Sequence, residues 1–180
     1  AECLQQSLVR MIFQDGPECS TRAYLPQPAQ QPQQPLGMEH DALLTVDSLG
    51  TAFGGGGFNA VLRDQARFGE MMRNGGRAHG KQLVPPEVIA DITRGGDREA
   101  FKVGGAPTIP GGSYRNMWWV MHNKHGAYSA RGIHGQAIYI DPTAEMVIAR
   151  FASHPLAGNF NFDPTSLPAY QAIAERLLQG

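Results

Sequence analysis

Gly132-Ile133-His134-Gly135 is the stretch of this 180-residue chain best suited to chemistry at the main chain. Two glycines bracket an apolar residue and an imidazole, just before a strand-like run, Ala137-Ile138-Tyr139-Ile140, that ends at Asp141-Pro142. Glycine weakens strands. At a strand's entrance it marks either a bend in the chain or a place where another group approaches the backbone closely. If the chain bends here, His134 is a structural imidazole satisfied by a neighbour. If something approaches, the two positions without side chains leave it room to reach the backbone. The residue types leave both open.

Other candidate chemistry is thinner. Gly111-Gly112-Ser113-Tyr114-Arg115 lacks the closing glycine of a nucleophile elbow, and no His-Glu-x-x-His occurs. The run Gly54–Gly57 has no following Lys-Ser or Lys-Thr. It reads as a flexible connection rather than a phosphate cradle. Of six histidines only His122 and His125 stand at a ligand-like spacing, across a turn, where a polar hairpin tip is the simpler reading. Cys3 and Cys19 have no paired-ligand spacing, so no metal and no cofactor is expected. Two cysteines and the absence of a basic, apolar leader suggest a cytoplasmic setting. A net charge of −1 with scattered lysine and arginine suggests no nucleic-acid partner, and no apolar run approaches membrane-spanning length.

The elements that must position these residues follow from periodicity. Leu4, Leu8, Val9, Ile12 and Phe13 have near-helical spacing in a leader, residues 1–24. Alternating Pro and Gln over 25–36 predict a linker, because proline removes backbone donors. The globular part is 37–180. A helix is predicted from an Asn59 cap through Arg73 to Gly75-Gly76, with Leu62, Ala66, Phe68, Met71 and Met72 facing the core. A second runs from Pro86 to Arg94 and stops at Gly95. Residues 104–113 read as loop. Then the period changes to four short strand-like runs, within 116–123, 126–131, 134–141 and 144–153, separated by turn signals. Short connections favour antiparallel neighbours. Leu167, Tyr170, Ile173, Ala174, Leu177 and Leu178 then lie on one face of a closing helix. The fold class is α+β: an antiparallel meander packed with helices. Trp118 and Trp119, adjacent in a strand, must point to opposite faces. Tyr128 and Tyr139 are further candidates for a cleft.

Three stretches carry a resemblance: PLGMEHDALLTVDSLG, GGGGFNAVLRDQARFGEMM and MWWVMHNKHGAYSARGIHGQAIYIDPTAEMVIARFASHP. From about residue 35 onward they resemble the C-terminal part of serine hydrolases of the β-lactamase/DD-peptidase fold. The nearest relatives by this resemblance are the 6-aminohexanoate-dimer hydrolases and related esterases. The resemblance implies that Ile133 supplies a backbone amide to an oxyanion hole. It implies that Trp119 lines a cleft for a linear aliphatic chain, with His134 and Gly135 beside the substrate. The ligand it implies is a short linear amide or ester.

The family's nucleophile comes from Ser-x-x-Lys, in which a lysine one helical turn on helps to take the serine proton. Ser7 is followed at that spacing by Arg10, which cannot act as a base. Ser20, Ser48, Ser113, Ser129, Ser153 and Ser166 have no lysine there either. Upstream of the matched part, Tyr24 precedes Leu-Pro rather than the Tyr-x-Asn or Tyr-x-Ser setting of the family's tyrosine. Two functions stay open: a serine hydrolase acting through an acyl intermediate, and a non-catalytic domain that binds a ligand or protein through the cleft wall. Sheet surface left uncovered would favour a homo-oligomer. A chance grouping of His134 or His154 with Asp141 is a third possibility.

Overall fold

The computed structural model describes residues 35–49, 51, 57–104 and 107–180. The leader helix, most of the Pro/Gln-rich segment and Gly54–Gly56 lie outside these residues. Two short strands, β1 (Leu43–Leu44) and β2 (Phe58–Asn59), pair antiparallel ahead of helix α1 (Leu62–Arg73). A second small hairpin, β3 (Arg77–Ala78) with β4 (Lys81–Gln82), leads to α2 (Pro86–Arg94) and α3 (Arg98–Gly104). The main sheet follows: β5 (Ser113–Arg115), β6 (Trp118–Val120), β7 (Tyr128–Arg131), β8 (Ala137–Asp141) and β9 (Met146–Arg150). Its order is β5-β6-β7-β8-β9, antiparallel throughout. Helix α4 (Asp163–Gln179) closes the chain.

Alternation in the strands sends side chains to two cores. On one face Trp118, Val120, Tyr128 and Ile140 pack with Met71 and Met72 of α1 and Ile89 and Ile92 of α2. Leu36, at the end of the predicted linker, is 2% exposed within this core. Gly69 explains how closely α1 sits. A Cβ there would fall 2.6 Å from Val147 Cγ1 and 2.9 Å from Ile138 Cγ2, so the helix rests almost flush on β8 and β9. On the other face Tyr139, Met146 and Ala127 pack with Tyr170 and Ala174 of α4. The α+β meander expected from the sequence is therefore present, with helices on both faces.

Several local expectations are corrected. Asn59 is not the cap of α1; it lies in β2 and its Nδ2 donates to Gly57 O at 2.9 Å, while Val61 precedes the helix. Leu62 is 44% exposed, and fully buried Asp64 takes its place inward. Its carboxylate accepts the Glu39 and His40 amides at 2.9 and 3.1 Å and Arg67 Nη1 at 2.7 Å. Segment 98–104 is helical although none of its residues is buried, and β5 is a strand the sequence did not suggest. On α4, Tyr170 and Ala174 are buried, but Ile173, Leu177 and Leu178 stay about half exposed, because no described residue covers that side. Among the described residues no helix is long and apolar enough to cross a membrane.

Candidate functional site

The β7–β8 connection is where the chain leaves most polar groups to be settled locally. Arg131 and Ala137 are the last paired residues of β7 and β8. Between them Gly132 donates to Gln136 O at 2.9 Å, and Ile133–Gly135 form one tight 3-10 turn. The first amides of a helical turn have no partner inside it. His134 N–H finds one outside, Ala157 O at 3.1 Å. Ile133 N–H has no acceptor among the described residues, and the Ile133 side chain is 64% exposed.

The turn is held from the β9 side. His154 N–H donates to His134 O at 3.2 Å, and His134 Nδ1 lies 2.7 Å from His154 O. Gln136 reaches Ala152 with both ends of its amide, the Ala152 N–H lying 3.3 Å from Oε1 and Nε2 donating to Ala152 O. The His154 ring stacks on Phe162 with centroids 4.5 Å apart and takes a hydrogen bond from Arg150 Nη2 at 2.6 Å. Arginine only donates, so His154 Nε2 is the acceptor and its proton sits on Nδ1. Gly135 lies beneath this ring at φ 89°. A Cβ there would fall 2.5 Å from His154 Cδ2. Gly135 is thus required by internal packing and by a left-handed backbone.

The two tryptophans face opposite sides, as alternation requires. Trp118 is 5% exposed, stacked near Phe68 and edge-on to Tyr128. Trp119 is half-buried on the α4 face. Tyr114 stands edge-on to it with centroids 4.7 Å apart, and the Arg131 guanidinium lies over it at 5.7 Å. Arg131 pairs with Asp163, the first residue of α4, which also accepts the Thr108 hydroxyl; both charged side chains are almost wholly buried. A buried pair of this kind fixes geometry more than it stabilises. It orients the ring-covering guanidinium two residues before Ile133.

The remaining candidates are drawn elsewhere. Tyr128 and Tyr139 are core residues, 1% and 3% exposed, which removes them from any cleft. Burial raises both phenols; for Tyr139, where the Asp141 charge adds to it, the value is pushed up to about 12. Asp141 pairs with His125 Nδ1 at 2.7 Å, both buried, so the grouping with His134 or His154 does not form. His122 and His125 are separated too, because His122 Nε2 lies 2.7 Å from Ser113 Oγ.

That Ser113–His122 contact carries no sequence signal, since it depends on the β5–β6 hairpin pairing Ser113 with Val120. It resembles a nucleophile and base in distance only. Ser113 is fully buried, its Oγ already accepts the Gly96 amide at 3.1 Å, and Gly95 packs against it. Burial, and then the Arg98 charge, hold the His122 imidazole below its ordinary range. Tyr114-Arg115-Asn116 has the Tyr-x-Asn spacing, but Asn116 donates to Asp91 and the Tyr114 hydroxyl to Met117 sulfur. Burial raises the Tyr114 phenol, the wrong direction for a base. No group of three or more His, Cys, Asp or Glu among the described residues is placed to hold a metal.

No family model matches the chain. A 6-aminohexanoate-dimer hydrolase of Paenarthrobacter ureafaciens is 40% identical over 121 residues, which is 67% of this chain and 31% of that protein. A solved structure, a putative 6-aminohexanoate-dimer hydrolase from Bacillus anthracis, superposes with a TM-score of 0.66 and 36% identity, covering 80% of this chain and 36% of that one. The chain spans about a third of the length of each. By sequence and by architecture it is a partial match to the 6-aminohexanoate-dimer hydrolase family.

Proposed function

We propose that this chain forms part of a serine hydrolase site for short linear amides or esters, with Ile133 N–H as one donor of its oxyanion hole. The carrying observation is that amide: the first of a tight turn, without an acceptor among the described residues, on a turn fixed by five surrounding hydrogen bonds. Rigid, pre-aimed donors of this kind stabilise charge that appears only as the carbonyl is attacked. Trp119, clamped by Tyr114 and Arg131, offers an apolar wall to an aliphatic chain. The names of the relatives support the substrate class.

In the chemistry proposed, a serine oxygen attacks the carbonyl carbon and the negative charge collects on the carbonyl oxygen at Ile133 N–H. The bond to nitrogen or oxygen then breaks, the amine or alcohol leaves with a proton, and water releases the acyl group as a carboxylate. These 180 residues contain no Ser-x-x-Lys, so the nucleophile has to come from a recruited serine, from a partner chain or from sequence beyond them. That same lack favours a second reading, a domain that binds amide ligands or a protein without turning them over. The side of α4 that no described residue covers supports association with another copy. The low cysteine count supports a cytoplasmic setting.

A serine-directed fluorophosphonate followed by intact-mass measurement separates the two. Addition of one label at one serine supports the hydrolase; no label, with a short amide still bound, supports the binding domain. Neither labelling nor binding would remove both.

A further inference from the structure

His134 holds a left-handed backbone conformation, φ 55°, which non-glycine residues adopt rarely and at a cost. Its surroundings impose it: the amide donates to Ala157 O, the carbonyl accepts His154 N–H, and Nδ1 lies 2.7 Å from His154 O. A carbonyl can only accept, so Nδ1 carries the ring proton. In the neutral imidazole Nε2 is then an acceptor, and it has no partner among the described residues. The preceding residue presents the reverse, a donor without an acceptor. One strained, tightly held turn thus offers an open donor and an open acceptor on consecutive residues.

That combination discriminates between amides and esters. A secondary amide carries an acceptor and a donor pointing in opposite directions, and satisfies both when it lies between them. An ester carries only acceptors, so its alkoxy oxygen would face the Nε2 lone pair and leave it unsatisfied. We propose that His134 Nε2 receives the N–H of a linear secondary amide whose carbonyl rests on Ile133 N–H, so that His134 selects amides over esters. The assignment depends on the placement of the carbonyl at Ile133 given above.

The test compares N-butylhexanamide with butyl hexanoate, which differ at the N–H alone, by following backbone amide resonances of the 180-residue chain. The amide should bind about tenfold more tightly, the size of one well-made hydrogen bond against an unmade one. His134→Asn suits the left-handed backbone and can keep the bond to His154 O through Nδ2, while deleting Nε2; in it the preference should fall to about one. His134→Gln, which returns an acceptor at the Nε2 position, should recover part of it. Equal binding of both compounds by the parent chain, or a preference that survives His134→Asn, overturns the role of His134 while a shift of the Ile133 resonance still supports its amide as the carbonyl site. If neither compound moves Ile133, the carbonyl placement fails and the selectivity proposal fails with it.

Discussion

Two turns flank β8, at opposite ends of the strand, and they treat their polar groups in opposite ways. The β8–β9 turn is closed. Asp141 Oδ1 accepts the Ala144 amide at 2.9 Å, Oδ2 holds buried His125, Thr143 donates to His125 O, and Glu145 donates to Pro142 O. The β7–β8 turn has more hydrogen bonds holding it, yet leaves Ile133 N–H and His134 Nε2 without partners among the described residues. Both reverse the chain between antiparallel strands. The difference is what each leaves for solvent or ligand, and unmade hydrogen bonds in a rigid setting are where binding energy is available.

Breaking the closed turn should have the largest effect. Asp141→Ala leaves His125 buried without its partner and frees the Ala144 amide; about 3 kcal/mol of stability should be lost, read as the urea midpoint. A loss under about 1 kcal/mol would show that the closed network contributes little. Next is Gly135→Ala. The new methyl meets the His154 ring at a left-handed position, for about 2 kcal/mol, and the Ile133 and His134 resonances should move with it. Unmoved resonances would mean that the turn does not depend on the His154 contact. Trp119→Ala should weaken binding of a short linear amide roughly tenfold, more than it lowers folding stability, since the ring is only half-buried. Equal losses would make Trp119 a packing residue.

The smallest effect concerns pH. His122 is held below its ordinary range, so the unfolded chain binds its proton more readily than the folded one. Stability from this group is therefore complete above about pH 6.5 and falls as the pH drops from there through the depressed folded value. His122→Gln should flatten the acid side of the stability profile over that window. An unchanged slope would clear His122 of any part in it.

Four of the five strands of the main sheet, β6 to β9, were legible because their turns carry Asn-Lys, Gly and Asp-Pro-Thr signals and their side chains alternate. Helix α3 was not, because an element with no buried residue has no apolar period to read. Strand β5 was missed for a related reason: Ser113-Tyr114-Arg115 buries only a serine, and that serine is satisfied by His122 and Gly96, both remote in sequence. At the candidate site, two glycines around an imidazole marked a turn. Gly135 has an internal reason, though, the ring of His154, and nothing in local spacing joins His154 to Arg150, Phe162 and Gly135 at once. Tertiary contact supplied what periodicity could not. The pairing of Asp141 with His125 rather than with His134 or His154 is the same lesson in reverse.

The most direct test of the central claim is the behaviour of one amide. In a hydrogen-exchange measurement on the 180-residue chain, Ile133 N–H should exchange rapidly beside a slow His134 N–H, and saturating N-butylhexanamide should slow Ile133 selectively. An Ile133 amide as slow as His134 in the absence of ligand, or one indifferent to the amide when it is bound, would contradict the assignment of this turn as the carbonyl site.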